Sequence, residues 1–282
     1  MQNIKRCILN WCCLCLLSLS VVAQTPPVEP SGSPSSTPDP ANTTAASPAS
    51  TPEVILEFGA LYEHLSNDNP DWQTYSFRFN RKFSSAQLLY GEVSAVRRFN
   101  QTDSNFIVGW FQPLNESKRW FASVEVAGSP THDVLPAFSF FGELGRNFGS
   151  GWVGHAGFRH SHYSDDNVNM GVFNVEKYFK AYRGAYTAYV AHLNGAGTSV
   201  SHSFQGNYYY GERNSVGLGF AFGQEIESVG NGKFIRSDVR EVNLSGKHWF
   251  NPRWGMSYLA LWHRQGDFYT RSSAQLGLLL GF

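Results

Sequence analysis

Between residues 53 and 282, apolar and polar positions change places at nearly every second residue. In WQTYSFRFNRKF, Tyr75, Phe77 and Phe79 share one face against Thr74, Ser76, Arg78, Asn80 and Lys82. VILEFGALYEH sets Val54, Leu56, Phe58, Ala60 and Tyr62 against Glu57 and Glu63. SVGLGFAFGQEIE sets Val216, Leu218, Phe220 and Phe222 against Glu225, Glu227 and interleaved glycines. The closing RSSAQLGLLLGF places Ala274, Leu276, Leu278, Leu280 and Phe282 opposite Arg271, Ser273 and Gln275, with Leu279 the exception. Period two over ten or more residues means long, half-buried strands. No helical period is sustained.

The alternation and its turns predict fourteen strands, with twelve as the alternative count. They fall at about 53–64, 72–83, 87–99, 104–112, 118–127, 134–147, 152–163, 167–178, 182–193, 198–210, 215–227, 237–249, 254–264 and 268–282. Such strands exceed the usual globular length of roughly five or six residues. Strands of about nine to eleven tilted residues cross a bilayer, and only closure satisfies every backbone group there. The predicted fold class is therefore all-β, a transmembrane antiparallel up-and-down β-barrel.

Aromatic placement separates this barrel from a soluble sandwich. With the N-terminus on the periplasmic side, alternate connections read RKFSSAQ, QPLNESKRW, GRNFGSGW, KYFKAYRG, YYGERNS and HWFNPRWG. They are tight and aromatic-flanked, as an interfacial girdle requires. Trp120, Trp152, Trp249, Trp254 and Phe282 are the expected membrane-interface residues. The opposite connections are more polar, and ESVGNGKFIRS is expected to be the longest. A terminal Phe on the last strand resembles the signal read by outer-membrane assembly machinery.

The segment before the barrel has two parts. Residues 1–23 carry Lys5 and Arg6, an apolar stretch from Cys7 to Val22, and small residues before Gln24. That is the plan of a secretory signal peptide. All four cysteines lie inside it, so the exported chain is expected to have neither disulfides nor cysteine-held zinc. Residues 24–52 are rich in Pro, Ser and Thr and read as a disordered linker. Lys plus Arg balance Asp plus Glu at 22 each, which argues against nucleic acid as a partner.

The polar faces carry the candidate chemistry. Glu57, Arg78, Glu125, Arg159, Glu225, Glu227, Glu241, Lys247 and Arg271 are predicted to line the lumen, together with Glu63, Lys82, Glu92, Arg98 and Glu143. Both signs occur, so two readings stay open: a water-filled pathway, or a salt-bridged interior closed to solute. His160, His162, Asp165 and Asp166 in RHSHYSDDN are weak catalytic candidates at the outer rim, where acids and a histidine can activate water. A polar loop explains them more simply, since no second acidic cluster pairs with them. Ser161, His263 and Asp267 form a triad by residue type only, without a nucleophile elbow. No metal site and no cofactor are expected.

GFRHSHYSDDNVNMGVFNVEKYFKAYRGAYTAYV, YYYGERNSVGLGFAFGQEIESVG and LSGKHWFNPRWGMSYLALWHRQGDFYTR resemble, in this order, the YaiO family of outer-membrane β-barrels. The resemblance covers roughly residues 53 to 282 and implies fold and location, not an activity. The expected function is a non-enzymatic pore for small polar solutes. The alternatives are an envelope or surface-polysaccharide export component, and a barrel hydrolase using the rim site. Expected partners are outer-membrane lipid and lipopolysaccharide, the barrel assembly machinery through the last strand, and a periplasmic partner of the linker.

Overall fold

The computed structural model describes residues 53–83, 87–164, 166–228 and 234–282, without the side chains of Glu227 and Ser228. The expectations for residues 1–52, for Asp165 and for the Glu227 side chain lie outside the described residues. Fourteen strands follow one another: β1 (Val54–Leu65), β2 (Trp72–Lys82), β3 (Leu88–Arg98), β4 (Gln101–Pro113), β5 (Trp120–Gly128), β6 (Phe138–Gly149) and β7 (Trp152–His162), then β8 (Asn167–Phe179), β9 (Tyr182–Leu193), β10 (Gly197–Tyr210), β11 (Asn214–Ser228), β12 (Phe234–Trp249), β13 (Trp254–Gln265) and β14 (Tyr269–Gly281). Each pairs antiparallel with its neighbours in sequence, and β14 returns to β1 to close the barrel.

Closure runs from Ile55 opposite Gly281 to Leu65 opposite Arg271. Val54 N–H donates to Phe282 O at 3.2 Å and Phe282 N–H to Val54 O at 2.9 Å. Both ends of the barrel sequence therefore lie at one rim, the terminal rim; the other is the far rim. Along the strands Phe58, Phe77, Val124, Phe158, Phe173, Phe220 and Leu278 are exposed on the outer wall, whereas Glu57, Glu92, Ser139 and Glu241 are buried inside. This inversion of the soluble pattern is stable only when hydrocarbon covers the outer wall.

The far rim departs from the sequence reading in three places. Residues 100–103 are expected to connect two strands, but Phe99 and Asn100 turn the chain alone, both at positive φ (49° and 63°), and Gln101 already belongs to β4. A two-residue turn of that hand matches strand twist. Packing holds Phe99 in it, with its ring 5.1 Å from that of Trp72.

Second, β6 begins at Phe138, not near residue 134, because Val134 and Leu135 fold inward and are buried with Val96. The Asp103 carboxylate fastens the fold. It accepts N–H bonds from Asp133 at 3.0 Å, Val134 at 2.7 Å and Leu135 at 2.9 Å. Residues 129–137 are thus the longest connection, and ESVGNGKFIRS, expected to hold that place, is mostly strand. Asp103→Ala should leave these amides unpaired, cost about 1–3 kcal/mol, and open residues 129–137 to protease in the folded barrel. Parental protease resistance would mean that Val134 and Leu135 hold the loop without Asp103.

Third, the β11–β12 hairpin leaves the wall. Pairing of β10 with β11 stops at Ser201 opposite Gly223, yet β11 and β12 stay paired to Ser228 opposite Phe234. Gly223 has φ +148°, and a Cβ there would lie 2.4 Å from Ser201 Cα, so the bend requires glycine. Beyond it alternation fails: Glu225 and Ile226 are both buried. Ile226 packs with Tyr163, Val168 and Leu193. Ile235 packs against the cluster of Leu65, Trp72, Phe99 and Tyr269. Arg236 Nη1 donates to Thr198 O at 3.0 Å. The hairpin therefore leans over the far rim between two apolar clusters.

Candidate functional site

The inner wall is built from ion pairs that strand register brings level. Glu57 on β1, Arg78 on β2 and Glu92 on β3 stand opposite one another. Arg78 donates from Nη1 to Glu57 at 3.2 Å, and from Nε and Nη2 to Glu92 at 3.0 and 2.6 Å. The Ser257 hydroxyl reaches Glu57 Oε1 at 2.5 Å across β14. Gly277 clears that path, since a Cβ there would meet Ser257 Oγ at 2.3 Å and Glu57 Oε1 at 3.0 Å. Lys247 lies within Coulombic reach of both Glu57 and Arg78.

The same device recurs on the next strands. Gly109 gives Tyr90 room to donate across β4 to Glu125 at 2.9 Å. Arg159 reaches Glu125 from the other side at 3.0 Å, with its guanidinium 4.8 Å over the Phe141 ring. Further round, His155 Nδ1 lies 3.1 Å from Glu143 and its Nε2 3.9 Å from Glu176. Arg183 grips both Glu176 oxygens and donates from Nη1 to Asn207 at 3.0 Å, while Tyr178 donates to Glu176 at 2.8 Å. Carboxylates partnered by arginine, histidine or tyrosine thus recur from β1 to β9, with Gly109 in place of a charged residue on β4.

The remaining arc is closed. His263 Nδ1 lies 3.2 Å from Glu241, and its Nε2 lies 2.8 Å from Gln265, which donates to Ser237 at 2.8 Å and Glu225 at 3.4 Å. Arg271 pairs with Glu63 at 3.4 Å and stacks on Trp72. His263 and Arg271 are 2 % and 1 % exposed. By contrast the side chains of Arg159 and Glu143 keep 23 % and 18 % exposure although they face inward. The inner wall is therefore packed most tightly around His263 and Arg271, whereas Arg159 and Glu143 retain accessible surface.

Glu57, Arg78, Glu125, Arg159, Glu241, Lys247 and Arg271 stand on the inner wall, Glu225 is buried beside Gln265 on the hairpin beyond Gly223, and Lys82 is exposed at the terminal rim. Sequence reasoning overlooked His155, Glu176 and Arg183. Counting alternation outward from Arg159 and through β8 and β9 would have found them.

The rim candidates do not converge. His160 and His162 share the outward face of Phe158, and their Nδ1 atoms lie 2.8 and 2.9 Å from Asn169 and Asn167. Asp166 contributes its backbone carbonyl to Tyr163 N–H. Ser161 is buried on β7, His263 is oriented by Glu241 on β12–β13, and Asp267 is exposed and bound to Arg264 at 2.9 Å. Among the described residues no nucleophile, base and orienter come together there. Among the described residues no three metal-ligating side chains form a group. In the β1–β2 connection, the hydroxyl proton given by Tyr62 holds the Asp71 carboxyl below the usual carboxylate range.

At the terminal rim Trp120, Trp152, Trp254 and Phe282 are exposed as girdle residues. Trp249 departs from that expectation. It pairs with Gly255 on the inward-facing parity and lies under the Arg213 guanidinium at 3.3 Å, so it is half-buried.

A closed antiparallel barrel with an apolar outer wall, a charged lumen and an aromatic terminal rim is an outer-membrane β-barrel. The chain belongs to the YaiO family: residues 54–227, more than half of it, match the YaiO membrane beta barrel domain. That match ends within β11, so the third block of family-like sequence lies beyond it. Among curated proteins none matches the chain by sequence.

Solved structures share the architecture at low identity. A bacterial polysaccharide outer membrane secretin is 8 % identical, with 83 % of this chain and 100 % of that chain covered and a TM-score of 0.53. The Acinetobacter baumannii outer membrane protein Omp33 is 9 % identical over 83 % and 100 %, with a TM-score of 0.50. An anion-selective porin from Comamonas acidovorans is more distant, at 8 % identity, 81 % and 98 % coverage and a TM-score of 0.42.

Proposed function

We propose that this barrel is a narrow, non-enzymatic pore for small polar solutes, exported by its N-terminal segment and set with its terminal rim toward the periplasm. The supporting observation is the residual exposure of inward-facing Arg159 and Glu143 in a wall of paired charges. Paired charges of both signs give a polar path without a strong field of either sign, so selectivity between anions and cations should be weak. The apolar clusters at the far rim narrow the path and predict low conductance.

Planar-bilayer recording of the purified, heat-modifiable barrel tests this. Small ohmic steps with weak ion selectivity are expected. Silence from demonstrably folded protein would discard the pore. The sealed arc around His263 and Arg271 favours the second reading, an envelope component without conductance. In that role residues 24–52 would reach a periplasmic partner, and the last strand would engage the assembly machinery.

A further inference from the structure

The outer wall at the terminal rim carries cations that no carboxylate among the described residues neutralises. Arg146 on β6 lies 5.0 Å over the Trp120 ring and 5.2 Å over the Phe148 ring. Lys177 on β8 lies 4.8 Å over the Trp152 ring of β7, and Lys180 in the β8–β9 turn lies 5.4 Å over Phe179. The four rings are exposed on the outer wall from β5 to the β8–β9 turn. Among the described residues none of the three cations forms an ion pair. Lys177 donates only to the Ser150 carbonyl, at 2.5 Å. The neighbouring β4–β5 connection adds exposed Lys118 and Arg119 against a single exposed acid, Glu116.

Amphipathic rings of a barrel girdle sit at headgroup level, so cations stacked on them are held at the depth of lipid phosphates. Stacking occupies one face of a guanidinium and leaves its edge N–H groups free for a phosphate oxygen. The lumen, by contrast, gives nearly every arginine a carboxylate. We infer that this arc, Arg146, Lys177 and Lys180 on Trp120, Phe148, Trp152 and Phe179, binds the phosphate of an anionic phospholipid in the leaflet at the terminal rim.

The test titrates the folded full-length barrel in micelles with phosphatidylglycerol or phosphatidylcholine and reads bound lipid by native mass spectrometry. Phosphatidylglycerol should be retained preferentially. Arg146→Gln, Lys177→Gln and Lys180→Gln should each weaken it roughly fivefold. Lys118→Gln with Arg119→Gln, which removes charge but no stacked cation, should cost less. Raising salt on the parent barrel, with its fold untouched, should also erase the preference. Equal retention of the two lipids, or a preference that survives the triple substitution, overturns the inference. So would equal loss in the Lys118/Arg119 variant, or tighter retention of lipid A, which belongs to the opposite leaflet.

Discussion

Arg78→Met should lower the unfolding free energy of the barrel by about 3–5 kcal/mol, the cost of stripping one partner from a buried ion pair. Among the described residues Arg78 is the only cation bonded to both Glu57 and Glu92, and each carboxylate is less than a tenth exposed. Without the guanidinium, two negative charges face each other inside the wall, and Lys247 can offset only part of that repulsion. Urea unfolding in micelles, followed by the shift of the folded band on an unboiled gel, measures the loss. Adding Glu57→Gln and Glu92→Gln to Arg78→Met should recover most of it, because no uncompensated charge is left. A cost below about 1 kcal/mol for Arg78→Met alone would mean that lumen water already screens these carboxylates.

Phe220→Arg should lower stability by about 2–4 kcal/mol and sharply reduce the folded yield, because it sets a cation against hydrocarbon near mid-bilayer. Phe220 is exposed on the outer wall and flanked by Phe204 and Val242 on the paired strands. Glu225→Gln, five residues further along β11, removes a charge from a buried site where Gln265 and Ser237 already form a hydrogen-bonded group. It should change stability by only about 1 kcal/mol. The opposite ranking of these two variants would place β11 one residue out of register.

The site candidates divide by whether parity alone could place them. His160 and His162 alternate with Arg159 and Ser161, so once Arg159 was assigned to the lumen the histidines had to face outward. His155, Glu176 and Arg183 were legible in the same way and were passed over. The Ser161, His263 and Asp267 arrangement could not be excluded by parity for its first two members, since both face inward. It fails because Glu241, not Asp267, lies beside His263.

Strand number, strand faces and the membrane-facing wall followed from the sequence because each rests on local information. Period-two alternation is a property of consecutive side chains, and the turns that interrupt it are short. The pairing of lumen charges is different. Glu57 meets Ser257 two hundred residues away only because barrel closure aligns β1, β14 and β13 and because Gly277 leaves the space between them. The far rim likewise needed the tertiary structure. Trp72, Tyr163, Val134 and Ile226 all fall inside predicted strand ranges, and only the tertiary structure, with the inward folding of residues 129–137 and the bend at Gly223, shows them as members of buried apolar clusters. A side chain's face is set by the backbone next to it, whereas its partner is set by closure, register and the empty volume that a distant glycine provides.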